Sequence, residues 1–304
     1  MRNLYCIILL SFASFFSFAQ TEKTDTKLQK MITDLAKGFN GDVGIYVKSL
    51  KTGKVASLNA DSIFPTASMV KIPITIGMFN KIDQGELDYN ASLTYKDSLL
   101  YAGEDILGSF KNGEKIWLPK VLMLMITTSD NTASLWCQSM AGGGETINGL
   151  LEKYGFAHTR VNSRTPGRGA NQRKYGWGQT TPREMATLLT MIRQGKIISE
   201  AASERIYRNL IRIYFDHEAL SEIPPYVQAA SKSGAVDPAR SEVVMVNAPH
   251  GDYVFCIATK NQKDTSWKHD NEGTTLIRNL SKMLWNYFEP QSKWEPAKGM
   301  EKYY

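Results

Sequence analysis

Lys232-Ser233-Gly234-Ala235, then Glu242-Val243-Val244-Met245-Val246-Asn247-Ala248, then Tyr253-Val254-Phe255-Cys256-Ile257-Ala258-Thr259-Lys260 is the stretch whose reading decides the fold. The last two runs are rich in Val, Ile and aromatic residues, and Pro249-His250-Gly251-Asp252 joins them, so they predict an antiparallel hairpin. A second hairpin lies near the other end of the chain. There Val43, Ile45 and Val47 alternate, Lys51-Thr52-Gly53-Lys54 turns, and Val55-Ala56-Ser57-Leu58 returns. Everything between reads as helical. A helix runs from Ala67 to Gln84 and stops at Gly85. The apolar run Val121–Ile126 predicts a buried helix, and Asn131–Met140 and Thr146–Tyr154 predict two more, separated by Gly142-Gly143-Gly144. Thr181-Pro182-Arg183-Glu184 opens another, with Thr181 and Glu184 placed as a capping box. Residues 156–180 read as one long loop. Helices around Lys27–Gly38 and Gly273–Phe288 flank the strands, the second with Leu276, Leu280, Leu284 and Tyr287 along one face.

Strands at both ends with helices between predict an α/β (α+β) fold. An antiparallel sheet with flanking terminal helices is built from 20–65 and 226–288. An all-helical domain, 66–225, is inserted, and 289–304 form a loosely held polar tail. The cleft between the two parts is the expected ligand site.

The chain has 304 residues, 42% of them apolar and 22% charged, which is enough for a sizeable core. Arg2 precedes an apolar run that ends in Ser17-Phe18-Ala19. This predicts a cleavable signal peptide over 1–19, and hence a periplasmic or secreted protein. The run is short for a membrane-spanning helix, which needs ~20 apolar residues. The net charge of +6 comes with no arginine–aromatic interleaving and no nucleic-acid motif, so no nucleic-acid partner is expected. No CxxC, HExxH or other ligand spacing calls for a metal, and nothing calls for an organic cofactor. Cys6 leaves with the signal. Cys137, in a helix, and Cys256, in a strand, predict two buried free thiols. His158, His217, His250 and His269 are scattered and are assigned to ordinary structure. A monomer is expected.

Three short motifs carry chemistry. In Ser68-Met69-Val70-Lys71, residues three apart share a helix face, so the Lys71 amine can reach the Ser68 hydroxyl. A serine needs a base to take its proton, and a lysine can serve if burial and nearby cations lower its pKa. In Ser129-Asp130-Asn131, an extended backbone would turn Ser129 and Asn131 to one side and Asp130 back into the helices. A helix N-cap is the alternative role for this triplet. In Lys232-Ser233-Gly234-Ala235, small residues leave a strand edge open and Lys232 offers positive charge to a substrate carboxylate. The backbone N–H groups of Ser68 and Ala235 could together hold an oxyanion.

SxxK, SDN and K-[ST]-G in this order resemble the motif set of penicillin-binding proteins and serine β-lactamases. Thr66–Lys71, Thr128–Ala133, the glycine turn at 142–144, Leu150–Arg160 and Thr180–Ala186 are similar to class A β-lactamases, and the likeness spans roughly residues 28–288. The resemblance implies a catalytic set of Ser68 as nucleophile, Lys71 as its proton acceptor, and Ser129 passing a proton to the leaving nitrogen with Lys232 beside it. It implies substrate contacts from Asn131, Ser233, Gly234 and Ala235, an aromatic wall at Tyr101, and a carboxylate partner at Arg240.

One departure stands out. Class A enzymes carry a glutamate before the Thr-Pro helix that activates the deacylating water. Counting from Arg160 or from Pro182 puts Thr165 in its place and Gly169 where an asparagine belongs. No Asp or Glu occurs between Glu152 and Glu184. Three readings follow: a β-lactam hydrolase with slow turnover or a substitute base, a D-alanyl peptidase, transpeptidase or other amide or ester hydrolase, and a non-catalytic module that binds β-lactams or wall peptides.

Overall fold

The computed structural model describes residues 22–103 and 105–303. The segment read as a signal peptide lies outside the described residues. In chain order the elements are α1 (Thr26–Leu35), β1 (Asp42–Ser49), β2 (Val55–Leu58), β3 (Phe64–Pro65), a 3₁₀ turn (Ala67–Val70), α2 (Lys71–Asp83), β4 (Ser92–Thr94), β5 (Lys115–Trp117), α3 (Leu118–Thr127), α4 (Asn131–Met140) and α5 (Gly143–Lys153). There follow β6 (Arg160–Val161), α6 (Gly169–Tyr175), β7 (Gly178–Thr180), α7 (Pro182–Arg193), α8 (Glu200–Leu210), β8 (Ala229–Val236), β9 (Ala239–Val246), β10 (Tyr253–Lys260) and α9 (Glu272–Phe288).

The five-stranded sheet runs β2-β1-β10-β9-β8, every pair antiparallel. Register follows from the alternation of side chains. Val43, Ile45 and Val47 face the same side as Val244, Val246, Phe255 and Ile257, and pack on Leu28 and Ile32 of α1 and on Leu276, Leu280 and Leu284 of α9. Tyr46, Val243, Met245, Val254 and Cys256 face the opposite side, into the core shared with α2, α3, α7 and α8. Both faces are covered, which is why β9 and β10 read as nearly continuous apolar runs. Cys137 and Cys256 are buried and unpaired, and burial pushes both thiols up.

Several expectations change. The insert is not all-helical: it contains the β4–β5 pair and the strands β6 and β7, which form a small sheet with β3 just before it. The 156–180 segment is not one loop either. β6 and β7 pair across it, α6 fills its middle, and Arg168 bonds to Asn162 Oδ1 (2.7 Å) and Gln179 Oε1 (2.9 Å). The Thr181–Glu184 capping box forms only by half. Thr181 Oγ1 accepts from Glu184 N (3.2 Å), but the Glu184 carboxylate reaches away to the N–H groups of Ala157, His158 and Thr159. The start of the tail is held, because Glu289 is buried and receives His250 N (2.9 Å), and Ser292 Oγ receives the Trp285 indole (3.1 Å).

Candidate active site

The 3₁₀ turn and α2 explain why Pro73 is tolerated. α2 begins at Lys71, so Pro73 falls in its first turn, where a backbone N–H has no intrahelical partner to lose. Ser68 sits in the 3₁₀ turn rather than in the α-helix expected there. Ala67 before it holds φ +42°, a left-handed conformation that side chains rarely adopt. The turn is clamped from the sheet side. A Cβ built on Gly234 would lie 2.4 Å from Thr66 O and 2.8 Å from Ser68 N, so only glycine lets β8 approach the nucleophile this closely. Ser241 Oγ stitches the contact, donating toward Thr66 O (3.3 Å) and Gly234 O (3.2 Å).

Lys71 is fully buried and sits at the hub. Its Nζ lies 2.8 Å from Ser68 Oγ, 2.9 Å from Ser129 Oγ, 2.7 Å from Ser129 O and 2.9 Å from Asn131 Oδ1. Burial first, and the Lys232 cation second, push its pKa well below the ordinary lysine value. Asp105 and Asp130 oppose the shift without reversing it. A lysine so placed can take the Ser68 proton and stand one hydrogen bond from Ser129.

The SDN motif works differently from an extended segment. Ser129 holds φ +57°, and this strained residue, not a pleat, brings its carbonyl and hydroxyl to Lys71. Asp130 does point back into the helices. It caps α4, accepting from Ala133 N (2.7 Å) and from Leu107 N (2.8 Å). Asp105, missed in the sequence, supports the same turn: its Oδ2 receives the N–H groups of Asn131 and Thr132, each at 2.9 Å. The Lys-Ser-Gly-Ala motif lies within β8. Lys232 is buried, bonds to Ser233 O (2.9 Å), and is brought down to about 8, chiefly by burial.

Ser68, Ser129, Asn131, Ser233, Gly234 and Ala235 line one cleft of about 580 Å³. Two sequence candidates land elsewhere or differently. Tyr101 is not part of that lining; it stands exposed, edge-on to Trp177 at 5.0 Å. Arg240 lines the cleft and is buried. Its Nη1 and Nη2 bond to the carbonyls of Val236, Ala239 and Ser266, which leaves it poorly disposed to receive a substrate carboxylate end-on. The far end of the cleft is made by residues that no linear motif announced, among them Phe215, Glu218 and Trp267. His217 and His269 also line it. No residue of 156–180 contributes to the lining. Thr165 turns the other way: a Cβ on Gly144 would lie 1.8 Å from its Oγ1.

The chain matches the family model described as the beta-lactamase enzyme family over residues 27–288. It belongs to that family. Among its relatives is the Pseudomonas aeruginosa β-lactamase VEB-1, 21% identical over 94% of this chain and 97% of the relative. Another is the β-lactamase PSE-4 of the same organism, 24% identical over 88% of this chain and 90% of the relative. Among solved structures, PBP-A superposes with a TM-score of 0.78 and 28% identity, covering 88% of this chain and 98% of that one. A β-lactamase from Sphaerobacter thermophilus shares the fold at 21% identity, with a TM-score of 0.77 over 87% and 98% of the two chains. This member of the family is a class A β-lactamase-like serine hydrolase with a mixed sheet-and-helix fold. Its sequence has no Asp or Glu between Glu152 and Glu184.

Proposed function

We propose that this protein is an exported, penicillin-reactive serine hydrolase that acylates readily and releases its acyl group slowly. The observation that carries the reading is the pairing of Lys71 Nζ with Ser68 Oγ at 2.8 Å in a cleft to which 156–180 gives no base. Lys71 takes the Ser68 proton as Oγ attacks the β-lactam carbonyl. The developing oxyanion is received by the N–H groups of Ser68 and Ala235. As the C–N bond breaks, Ser129 gives its proton to the leaving nitrogen and recovers one from Lys71 across their 2.9 Å contact. The products of this half-reaction are an ester on Ser68, a protonated leaving nitrogen and a neutral Lys71. Hydrolysis of the ester then needs an activated water, and the loss of a general base slows such a step by typically ~10²–10⁴-fold.

A second reading, a D-alanyl peptidase or transpeptidase acting on wall peptide, shares the same acylation chemistry. It draws support from PBP-A, a variant of which was captured as an acyl-enzyme complex with penicillin G. A pure binding module would have no use for a buried lysine tied to the nucleophile. The segment 1–19, Arg2 followed by an apolar run ending in Ser17-Phe18-Ala19, supports export to the periplasm or beyond the cell.

Intact-protein mass followed over time after mixing with a penicillin, with Ser68→Ala alongside, tests the proposal. A Ser68-dependent adduct that outlasts many acylation times is expected. An adduct that vanishes as product accumulates would replace slow release with efficient turnover. No adduct would end the penicillin-reactive reading.

A further inference from the structure

Two carboxyl groups are buried together beside β8. Glu242 of β9 is 1% exposed, and it is met by two donors, Ser231 Oγ on its Oε1 and Ala219 N on its Oε2 (2.8 Å). Glu218 is 6% exposed and lines the cleft with Ser68, Ser233 and Ala235, yet its Oε2 has no hydrogen-bond partner among the described residues. The groups facing it are Glu242 and Arg240 from β9, Lys232 from β8, and Arg278 from α9, with His217 next to it in the chain. Lys268 and His269 line the same cleft. Two carboxylates buried side by side resist ionising together, and the one that lacks donors keeps the proton. Glu242, with its two donors, is the better anion. Burial first, and Glu242 second, favour the acid form of Glu218, against the weaker pull of Lys232, Arg240 and Arg278.

We propose that Glu218 is a substrate-contact residue: as a neutral carboxylic acid it donates a hydrogen bond to a carboxylate of the substrate. The proposal rests on the acylation reading above and adds the chemistry that recognises the substrate. It assigns Glu218 a task for which Arg240, with three of its five N–H groups on backbone carbonyls, has only part of its fork left. A neutral donor can sit beside buried Lys232 without competing for its charge, which an ionised glutamate would do. Once Glu218 ionises, the same group repels the carboxylate. The cleft therefore accepts acidic substrates at or below neutral pH and loses them as pH rises.

The test compares acylation of Ser68 by a penicillin and by its methyl ester, in the full-length mature protein and in Glu218→Gln, between about pH 6 and pH 9. In the wild type the preference for the free acid should fall by about tenfold or more across that range, the worth of a hydrogen bond to a charged group. In Glu218→Gln, which cannot ionise, that part of the fall should be missing. Identical acid-to-ester profiles in the two proteins would overturn the proposal. A second measurement needs no β-lactam. The infrared difference spectrum of unliganded wild type minus Glu218→Gln at about pH 6 should show the carbonyl band of a protonated carboxyl. A carboxylate band alone would overturn the proposal even if acylation occurs. If Ser68 is never acylated but the protonated band is present, it is the acylation reading that fails and the acid form of Glu218 that stands.

Discussion

Lys71 is held by four acceptors and shut away from solvent, and that single residue sets the chemistry. Its depressed pKa means that the free-base form grows as pH rises, so Ser68 acylation should climb with pH through a midpoint well below the ordinary lysine value of 10.5. A pH–rate profile of adduct formation checks the direction. Lys71→Ala should slow acylation by roughly 10²–10⁴-fold, the usual worth of a positioned base, without unfolding the protein. Thr165 makes the opposite point. Thr165→Glu puts a carboxylate at the family position in sequence, but the side chain there faces Gly144 across a gap too small for a Cβ. The variant should lose about 1–3 kcal/mol of stability to overpacking and should not speed deacylation, as denaturant melts and adduct lifetime would show. A shortened adduct lifetime would mean that the segment can re-aim the residue.

At the scale of elements, the site depends on two close approaches. The first is β8 against the 3₁₀ turn at Gly234. Gly234→Ala drives a Cβ into Thr66 O, so the turn must shift, and with it the N–H of Ser68. Acylation should fall by tenfold or more, for a stability loss of about 1–3 kcal/mol. The second is the start of α4. Asp130 both caps that helix and anchors Leu107 N, so Asp130→Ala should cost about 2–4 kcal/mol, the sum of a lost cap and an unmet buried N–H. Thermal melts would measure it, and acylation should fall too because Ser129 and Asn131 flank the cap.

For the whole molecule, buried ionisable groups tie stability to pH. The folded state raises the Glu218 pKa above its ordinary 4.5. Its contribution to stability is therefore complete below about pH 4.5 and is lost as pH rises through the folded value. Glu218→Gln has no such loss. Its unfolding free energy relative to wild type should increase between about pH 5 and pH 9, on the order of 1 kcal/mol, as urea titrations at the two ends would show. A flat difference would mean that Glu218 ionises in the fold as it does in the unfolded chain.

The sequence by itself determined the order of strands and helices, because side-chain period and turn chemistry are local. Val43, Ile45 and Val47, the run Tyr253–Lys260, and the face Leu276, Leu280 and Leu284 all stand where their pattern put them. It also determined Ser68, Lys71, Ser129 and Lys232 as candidates, since each sits in a short motif with fixed spacing. Only the tertiary structure decided the rest. The left-handed turn at Ser129, the true direction of the Glu184 carboxylate and the pairing of β6 with β7 depend on partners far along the chain. Asp105, Glu218 and Trp267 meet Ser68 in one cleft although no motif joins them. The Nη1 hydrogens of Arg240 are taken by carbonyls that only the folded strand presents. Local spacing fixes what a segment can become, whereas burial and hydrogen-bond satisfaction are settled by which segments the fold brings together.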